Sequence, residues 1–186
     1  MIVLRLMLLV LWATSGAAWA ASDQELLDQA ANRAIDSLGK ADGYFGNPAV
    51  RIPLPGKLEK LRKVLQTLGA SKEVDDLVLA MNRAAEQALP QCRALIAASI
   101  RELPPAEGEH GDAVQRYGAA MSGRLATEVL PQVSIATKDV HLVKRYNDVA
   151  GKASALGILD QRDADLDAYV TRKMLDGLFK TMASHN

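Results

Sequence analysis

The segment from Ser71 to Leu103 constrains the fold of this chain more than any other. Its apolar residues recur at spacings of three and four, which places them along one broad stripe of an α-helix. The residues of this stripe are Val74, Leu77, Val78, Met81, Ala84, Ala85, Ala88 and Leu89. Ser71 is suited to begin the helix, because its hydroxyl can accept a hydrogen bond from a free backbone amide. We therefore predict a long helix that buries this stripe in a core.

Pro90 lies inside this predicted helix. A proline has no backbone N–H to donate, and its ring collides with the carbonyl of the residue four positions earlier, here Glu86. We predict that the helix bends near Glu86 or breaks into two pieces there. The polar run from Asn82 to Glu86 lies beside this expected irregularity.

The N-terminus has the three parts of a secretory signal peptide. These parts are Arg5, the apolar run from Leu6 to Ala13, and the small residues around Trp19 that end at Ala20. The apolar run is too short to span a bilayer stably, and no second long apolar run follows, so we expect no membrane anchor in the mature chain. We predict that residues 1–20 are removed after Ala20, and that residues 21–186 form a single helical domain in the periplasm.

Composition narrows the fold class and the partners. Removing Arg5 from the 22 basic residues leaves 21 against 22 acidic residues, and this near-neutral balance argues against nucleic acid as a partner. The single cysteine, Cys92, excludes a disulfide within one chain, and we expect it to be a small buried hydrophobe. Helix-forming residues dominate throughout. The predicted fold class is all-α, a bundle-like domain of five to seven helices with one long ordered loop rich in glycine and proline.

That loop runs from Lys40 to Gly56, where the helical spacing disappears. Val50, Ile52 and Leu54 alternate with other residues, as they would in an extended segment with one buried side. Disordered linkers lack such apolar content. We therefore predict that the loop is ordered and buries these side chains against the rest of the domain.

Further helices are predicted on both sides of the central one. They run from Ser22 to near Gly39, from Leu58 to Gly69, from Asp112 towards Leu130, through residues 140–150, and from Asp163 or Asp165 through Phe179. Pro131 either starts a new helix or kinks a continuing one. The segment from Pro104 to Gly111 is predicted to be an exposed loop from its composition.

The sequence contains few recognisable catalytic motifs. It has no phosphate-binding glycine loop, no paired-cysteine or His-Glu-x-x-His metal pattern and no nucleophile elbow, and we expect no cofactor and no metal. Positions 75, 82 and 86 of the central helix share one narrow sector, and positions 76 and 83 share the next. Two carboxylates near an amide could act as acid and base or hold a cation. Structural networks are the commoner source of such groups, and we favour that interpretation.

The candidate cluster can be structural or can contact a ligand. Its members are Asn82, Arg83, Glu86, Asp75, Asp76, Arg51, Tyr44 and Phe45. If the loop buries its apolar side chains, its amides and carbonyls also need partners. A side-chain amide can both donate and accept, a carboxylate accepts and a guanidinium donates. We therefore expect Asn82, Arg83 and Glu86 to hold the loop in place.

Four motifs carry a resemblance to a known family. They are Gly43-Tyr44-Phe45 with Asn47-Pro48, the run Arg51 to Pro55, the run Met81 to Glu86, and Asp165 to Thr171 with Leu175 to Phe179. In order and spacing they are similar to the exported bacterial family known as domain of unknown function 4197. The resemblance implies a helical envelope protein of undetermined role, with no catalytic residues to carry over. The chain departs from that pattern in its short Pro104 to Gly111 loop and in ending at Asn186.

Three hypotheses about function remain open, and the first two belong to different classes. The first is a binding or interaction module of the cell envelope, which recognises an envelope protein or a small ligand through a surface formed by the loop from Gly43 to Pro55 and the central helix. The second is a small hydrolase that uses Asp75, Asp76 or Glu86 as acid or base. Carboxylates facing one another in an open pocket would favour the enzyme, whereas carboxylates bonded to arginines and loop amides would disfavour it. An assembly role for the basic face of the helix around residues 57–63 is a third hypothesis.

The predicted leader can be tested by fluorescence. Both of the two tryptophans, Trp12 and Trp19, lie before the predicted cleavage point. Protein recovered from the periplasm is therefore expected to emit only as tyrosine does. Tryptophan emission near 340 nm from that fraction, with a mass that includes residues 1–20, would contradict cleavage after Ala20.

Overall fold

The computed structural model describes residues 23–67, 69, 71–103, 113–154 and 165–184. Within these ranges the chain forms seven α-helices and no β-strand, which confirms the predicted all-α class. The helices are α1 (residues 23–38), α2 (Gly56–Thr67), α3 (Ser71–Gln91), α4 (Arg93–Arg101), α5 (Ala113–Asp139), α6 (Leu142–Ser154) and α7 (Leu166–Ser184). The predicted leader, the predicted helix starts at Ser22 and Asp112, and the Pro104 to Gly111 loop lie outside the described residues. None of the described helices combines the length and apolar character needed to cross a bilayer.

Helix α3 lies at the centre of the fold. It packs against α2, α4, α5, α6 and α7. All eight residues of the predicted apolar stripe are buried, and they belong to one hydrophobic cluster with the core residues of the surrounding helices. The 3.6-residue period of the sequence thus identifies the face of α3 on which the domain is built.

The predicted break in the central helix occurs, but later than expected. Helix α3 continues through Pro90 to Gln91, and α4 begins at Arg93. The intervening Cys92 donates its N–H to the carbonyl of Leu89 at 3.0 Å, a tighter turn than the α-helical one. The N–H that Pro90 lacks would have bonded to the carbonyl of Glu86, and the residues before Pro90 keep their own helical hydrogen bonds. The helix therefore ends after the proline rather than at Glu86.

The structure also decides the predictions about Pro131 in α5 and about the start of α7. Helix α5 is continuous through Pro131, so this proline lies within a helix and does not start a new one. The carboxylate of Asp165 accepts a hydrogen bond from the backbone N–H of Ala168 at 3.0 Å, which satisfies a free amide at the start of α7. Asp163 lies outside the described residues.

Tyr44 joins the loop to α7. Its side chain is fully buried, and its hydroxyl donates to the carbonyl of Met174 at 2.7 Å. Its ring lies against Gly177, where an added Cβ would be 2.6 Å from Cε1 of Tyr44 and 3.3 Å from Cβ of Val50. Real Cβ atoms essentially never approach other atoms as closely as 2.6 Å. The absence of a side chain at position 177 therefore allows the loop to pack on α7.

Gly177→Ala should lower the melting temperature. The methyl group would displace a tyrosine that is held at both ends, and overpacking of this kind costs about 1–3 kcal/mol. Gly123→Ala is the matched control, because Gly123 lies inside α5 and an added Cβ there meets nothing within 4 Å. The control should melt at the same temperature or higher, since alanine is favoured over glycine in a helix by about 0.5–1 kcal/mol. The melting temperatures are measured by circular dichroism. Equal melting temperatures for Gly177→Ala and Gly123→Ala would contradict the close packing of Tyr44 on Gly177.

Candidate functional site

The segment that joins α1 to α2 consists of turns followed by an extended stretch, residues 39–55. Val50, Ile52 and Leu54 are buried, while Arg51 and Pro53 between them are exposed. This alternation is the one expected for an extended chain with a single buried side. The segment therefore has an inner face on the core and an outer face in solvent.

Glu86 holds the first part of this loop. Its Oε1 accepts hydrogen bonds from the backbone N–H groups of Tyr44 and Phe45, both at 3.0 Å. Its Oε2 accepts from Nη1 of Arg83 at 2.5 Å, and the residue is only 3% exposed. A buried carboxylate is tolerated when it is paired and hydrogen-bonded, and these three donors meet that condition.

Asn82 holds the second part. Its Oδ1 accepts from the N–H of Ile52 at 2.8 Å, and its Nδ2 donates to the carbonyl of Ile52 at 2.9 Å. The same Nδ2 donates to the carbonyl of Val78 at 2.8 Å within α3. A side-chain amide carries both a donor and an acceptor, so one asparagine pairs both backbone groups of one loop residue. Ile52 is thereby bonded as it would be by a neighbouring β-strand.

Two arginines surround Phe45. The guanidinium carbon of Arg51 lies 4.2 Å from the centre of the Phe45 ring, and that of Arg83 lies 5.8 Å from it. Arg83 also donates from Nη2 to Asp42 at 2.8 Å. Its hydrogen bond to Glu86 raises the pKa of Arg83. The ring is thus covered by cationic side chains, in contacts of the cation–π type.

Asp75 and Asp76 of the candidate cluster lie apart from these contacts. Asp76 accepts from Nζ of Lys72 at 2.6 Å, which lowers the pKa of Asp76, and lies 3.7 Å from Nη1 of Arg145 on α6. Asp75 is exposed. The two positions share angular sectors with Asn82 and Arg83, but they lie two helical turns away, roughly 10 Å along the axis. The structure therefore brings together six of the eight predicted residues: Asn82, Arg83, Glu86, Arg51, Tyr44 and Phe45.

Helix α7 supplies contacts that sequence reasoning missed. The hydroxyl of Tyr169 donates to the carbonyl of Pro53 at 3.0 Å, and Nζ of Lys180 donates to the carbonyl of Ala49 at 3.0 Å. Tyr169 and Lys180 are eleven residues apart, about three helical turns, so they point in nearly the same direction. The sequence pointed to these contacts only through this spacing and through the position of Tyr169 in the motif from Asp165 to Thr171.

A second missed network connects α5 to α7. The hydroxyls of Ser134 and Thr137 donate to the carboxylate of Asp167 at 2.6 and 2.7 Å. Asp167 lies in the first turn of α7, where a negative charge complements the helix dipole. The network joins α5 to α7 through a carboxylate that accepts from two hydroxyls.

Two further observations bear on chemistry. Burial raises the pKa of the Cys92 thiol to about 11, and its Sγ donates to the carbonyl of Ala88 at 3.3 Å. Such a thiol is overwhelmingly protonated at neutral pH and therefore a poor nucleophile. Among the residues that the structure describes, no group of three or more histidines, cysteines and carboxylates is arranged to hold a metal ion.

The outer face of the loop borders a groove, which we call the loop groove. It has a volume of about 360 Å³. Its lining residues are Pro48, Arg51 and Pro53 of the loop, Glu59 and Arg62 of α2, and Val78 of α3. Glu59 and Arg62 form a two-bond ion pair, with both N to O distances 2.9 Å, and this pair lowers the pKa of Glu59.

Asn82→Ala should lower the melting temperature by several degrees. It would leave the buried N–H and carbonyl of Ile52 without partners, at about 1–3 kcal/mol for a lost partner, and each kcal/mol corresponds to roughly 2–4 °C in a domain of this size. Asn147→Ala is the control, because Asn147 is exposed on α6 and alanine has the higher helix propensity. Glu86→Ala should also destabilise the domain, since Arg83 would lose a charged partner. A melt of Asn82→Ala at or above that of the parent would show that the loop does not depend on this side chain.

Comparison with known proteins places the chain in a family. A family model with the description "Protein of unknown function (DUF4197)" matches residues 14–186. No curated protein and no solved structure was found to match. The match covers nearly the whole chain, including the loop, α3 and α7, and it confirms the resemblance carried by the four motifs. The chain belongs to this family of proteins of unknown function.

Proposed function

We propose that the protein is a periplasmic binding or interaction module of the cell envelope, and that it recognises its partner with the outer face of the loop and the loop groove. The leader-like N-terminus supports export. The observation that carries the binding role is the way in which the loop is held. Its backbone is bonded by α3 at Tyr44, Phe45 and Ile52 and by α7 at Ala49 and Pro53.

Holding a loop by its backbone leaves its exposed side chains available to a partner. The bonds come from α3 and α7, so they fix the backbone without covering the exposed residues Asn47, Pro48, Ala49, Arg51 and Pro53. A surface that is already ordered loses little conformational entropy when a partner binds. Binding residues are commonly placed on loops that a rigid scaffold positions, and this loop fits that description.

The same contacts argue against Glu86 and Asp76 as the acid or base of a hydrolase. Both oxygens of Glu86 are bonded to protein donors, and the side chain is buried beneath the loop. Asp76 is occupied by Lys72 and Arg145. A general acid or base must come within hydrogen-bond reach of the proton it transfers. Carboxylates committed in this way favour a binding role over a catalytic one.

Site-specific photo-cross-linking in living cells tests the proposal. A photoreactive phenylalanine analogue at position 49, on the outer face of the loop, should give discrete adducts with an envelope component, because that side chain is exposed while its backbone stays bonded to Lys180. The same analogue at position 120, an exposed alanine of α5, is the matched control and should give none of these adducts. Adducts from position 120 alone, or none from position 49 in cells with normal export, would contradict recognition by the loop.

A further inference from the structure

We infer that the loop groove binds a carboxylate of an acidic peptide segment, with Arg51 as the anchoring residue. The inference rests on the proposed function and names the chemistry of the partner. It depends on three observations: the balance of charge in the groove, the way Arg51 is held, and the nature of the groove walls.

Of the charged groups that line the groove, Arg51 is the one without an ion pair among the described residues. Two guanidinium groups, those of Arg51 and Arg62, line the groove with one carboxylate, and Asp75 acts electrostatically on Arg62 from α3. Both oxygens of that carboxylate, on Glu59, are taken by Arg62. The carboxylates of the neighbouring cluster, on Asp42 and Glu86, are bonded to Arg83. Within the described part of the chain, Arg51 therefore has a positive charge without an acidic partner.

Arg51 is held in place although it is exposed. Its guanidinium lies over the Phe45 ring at 4.2 Å, and the backbone N–H of Phe45 is bonded to the buried Glu86. Stacking on an aromatic ring restricts a long side chain and leaves its N–H groups available. A guanidinium can bind a carboxylate with two parallel hydrogen bonds. Arg51 is therefore partly ordered before a partner binds, and its side chain loses less conformational entropy on binding.

The walls of the groove offer little else to a ligand. Pro48 and Pro53 have no backbone N–H, and the carbonyl of Pro53 already accepts from Tyr169. Val78 also lines the groove but is only 2% exposed, so the two proline rings supply most of its apolar wall. The volume of about 360 Å³ lies at the small end of the range for ligand sites. These features fit an anionic side chain with a short apolar neighbour, as an extended acidic peptide presents.

A peptide fits this surface better than a lipid bilayer does. Binding to a membrane surface requires an exposed apolar face together with several basic residues. Here Val50, Ile52 and Leu54 face the core, and Phe45 is covered by Arg51. The outer face of the loop therefore has little apolar surface to insert into a bilayer.

Nuclear magnetic resonance of the ¹⁵N-labelled protein tests the inference. The probe is a blocked hexapeptide of alternating glutamate and leucine, and its counterpart has glutamine in place of glutamate. The glutamate peptide should shift the Arg51 side-chain Nε–H signal saturably and bind at least about tenfold more tightly than the glutamine peptide, because only a carboxylate forms a charge-assisted pair. Added salt should weaken the binding through screening.

Variants separate this site from general charge effects. Arg51→Gln should lower the affinity for the glutamate peptide about tenfold or more, while Arg33→Gln, at an exposed position of α1, should leave it unchanged. Circular dichroism checks that both variants are folded. Arg51→Lys keeps the charge but loses the planar fork, so it should restore the affinity only partly.

Several results would overturn the inference. They are equal binding of the two peptides, unchanged affinity in Arg51→Gln, and absence of a saturable shift up to 10 mM peptide. Binding to vesicles of phosphatidylcholine and phosphatidylglycerol that requires Arg51, without binding of the peptide, would replace the peptide with a lipid partner. If cross-links from position 49 persist while the peptide fails, only this inference falls. If both fail, the proposed function falls with it.

Discussion

The carboxylate of Glu86 is the contact on which the rest of the site depends. It lies under the loop, accepts two consecutive backbone amides and pairs with Arg83, which in turn reaches Asp42 on the loop. A charge at this depth would be costly without compensation. The two amides and the guanidinium together supply that compensation. The same contacts therefore fix the position of the loop and compensate the buried charge of Glu86. A change that moves the loop would also leave this carboxylate without its amide donors.

Helix α3 explains why such an irregular loop can be buried at all. Most helices in a core present an apolar stripe inwards and a polar face to solvent. Helix α3 is buried on its polar side as well, since Asn82 and Glu86 are 0% and 3% exposed. A loop without regular structure cannot pair its own backbone amides and carbonyls. The side chains of Asn82 and Glu86 supply the acceptors and the donor that these groups need. Each would be unstable in the interior by itself, and together they satisfy one another.

Much of this arrangement could be predicted from the sequence because local rules determine it. The period of α3 identified its buried stripe, and the alternation around Ile52 identified the inner face of the loop. The requirement that buried backbone groups be paired pointed to Asn82 and Glu86. Local rules could not show at which turn of α3 the loop packs. The loop packs beside Asn82 and Glu86, so Asp76, two turns earlier, does not contact it. They also could not show that Tyr169, more than a hundred residues away in the chain, reaches Pro53.

The hydrogen bond from Tyr44 to Met174 links the loop to the last described helix, at a separation of 130 residues. Contacts so far apart in sequence form late, since the entropy of closing the intervening chain must be overcome first. A ribosome releases the loop long before α7, because synthesis runs from the N-terminus. We expect the nascent chain to remain incompletely folded until α7 is made. The outer face of the loop therefore takes its final shape only after α7 has been made.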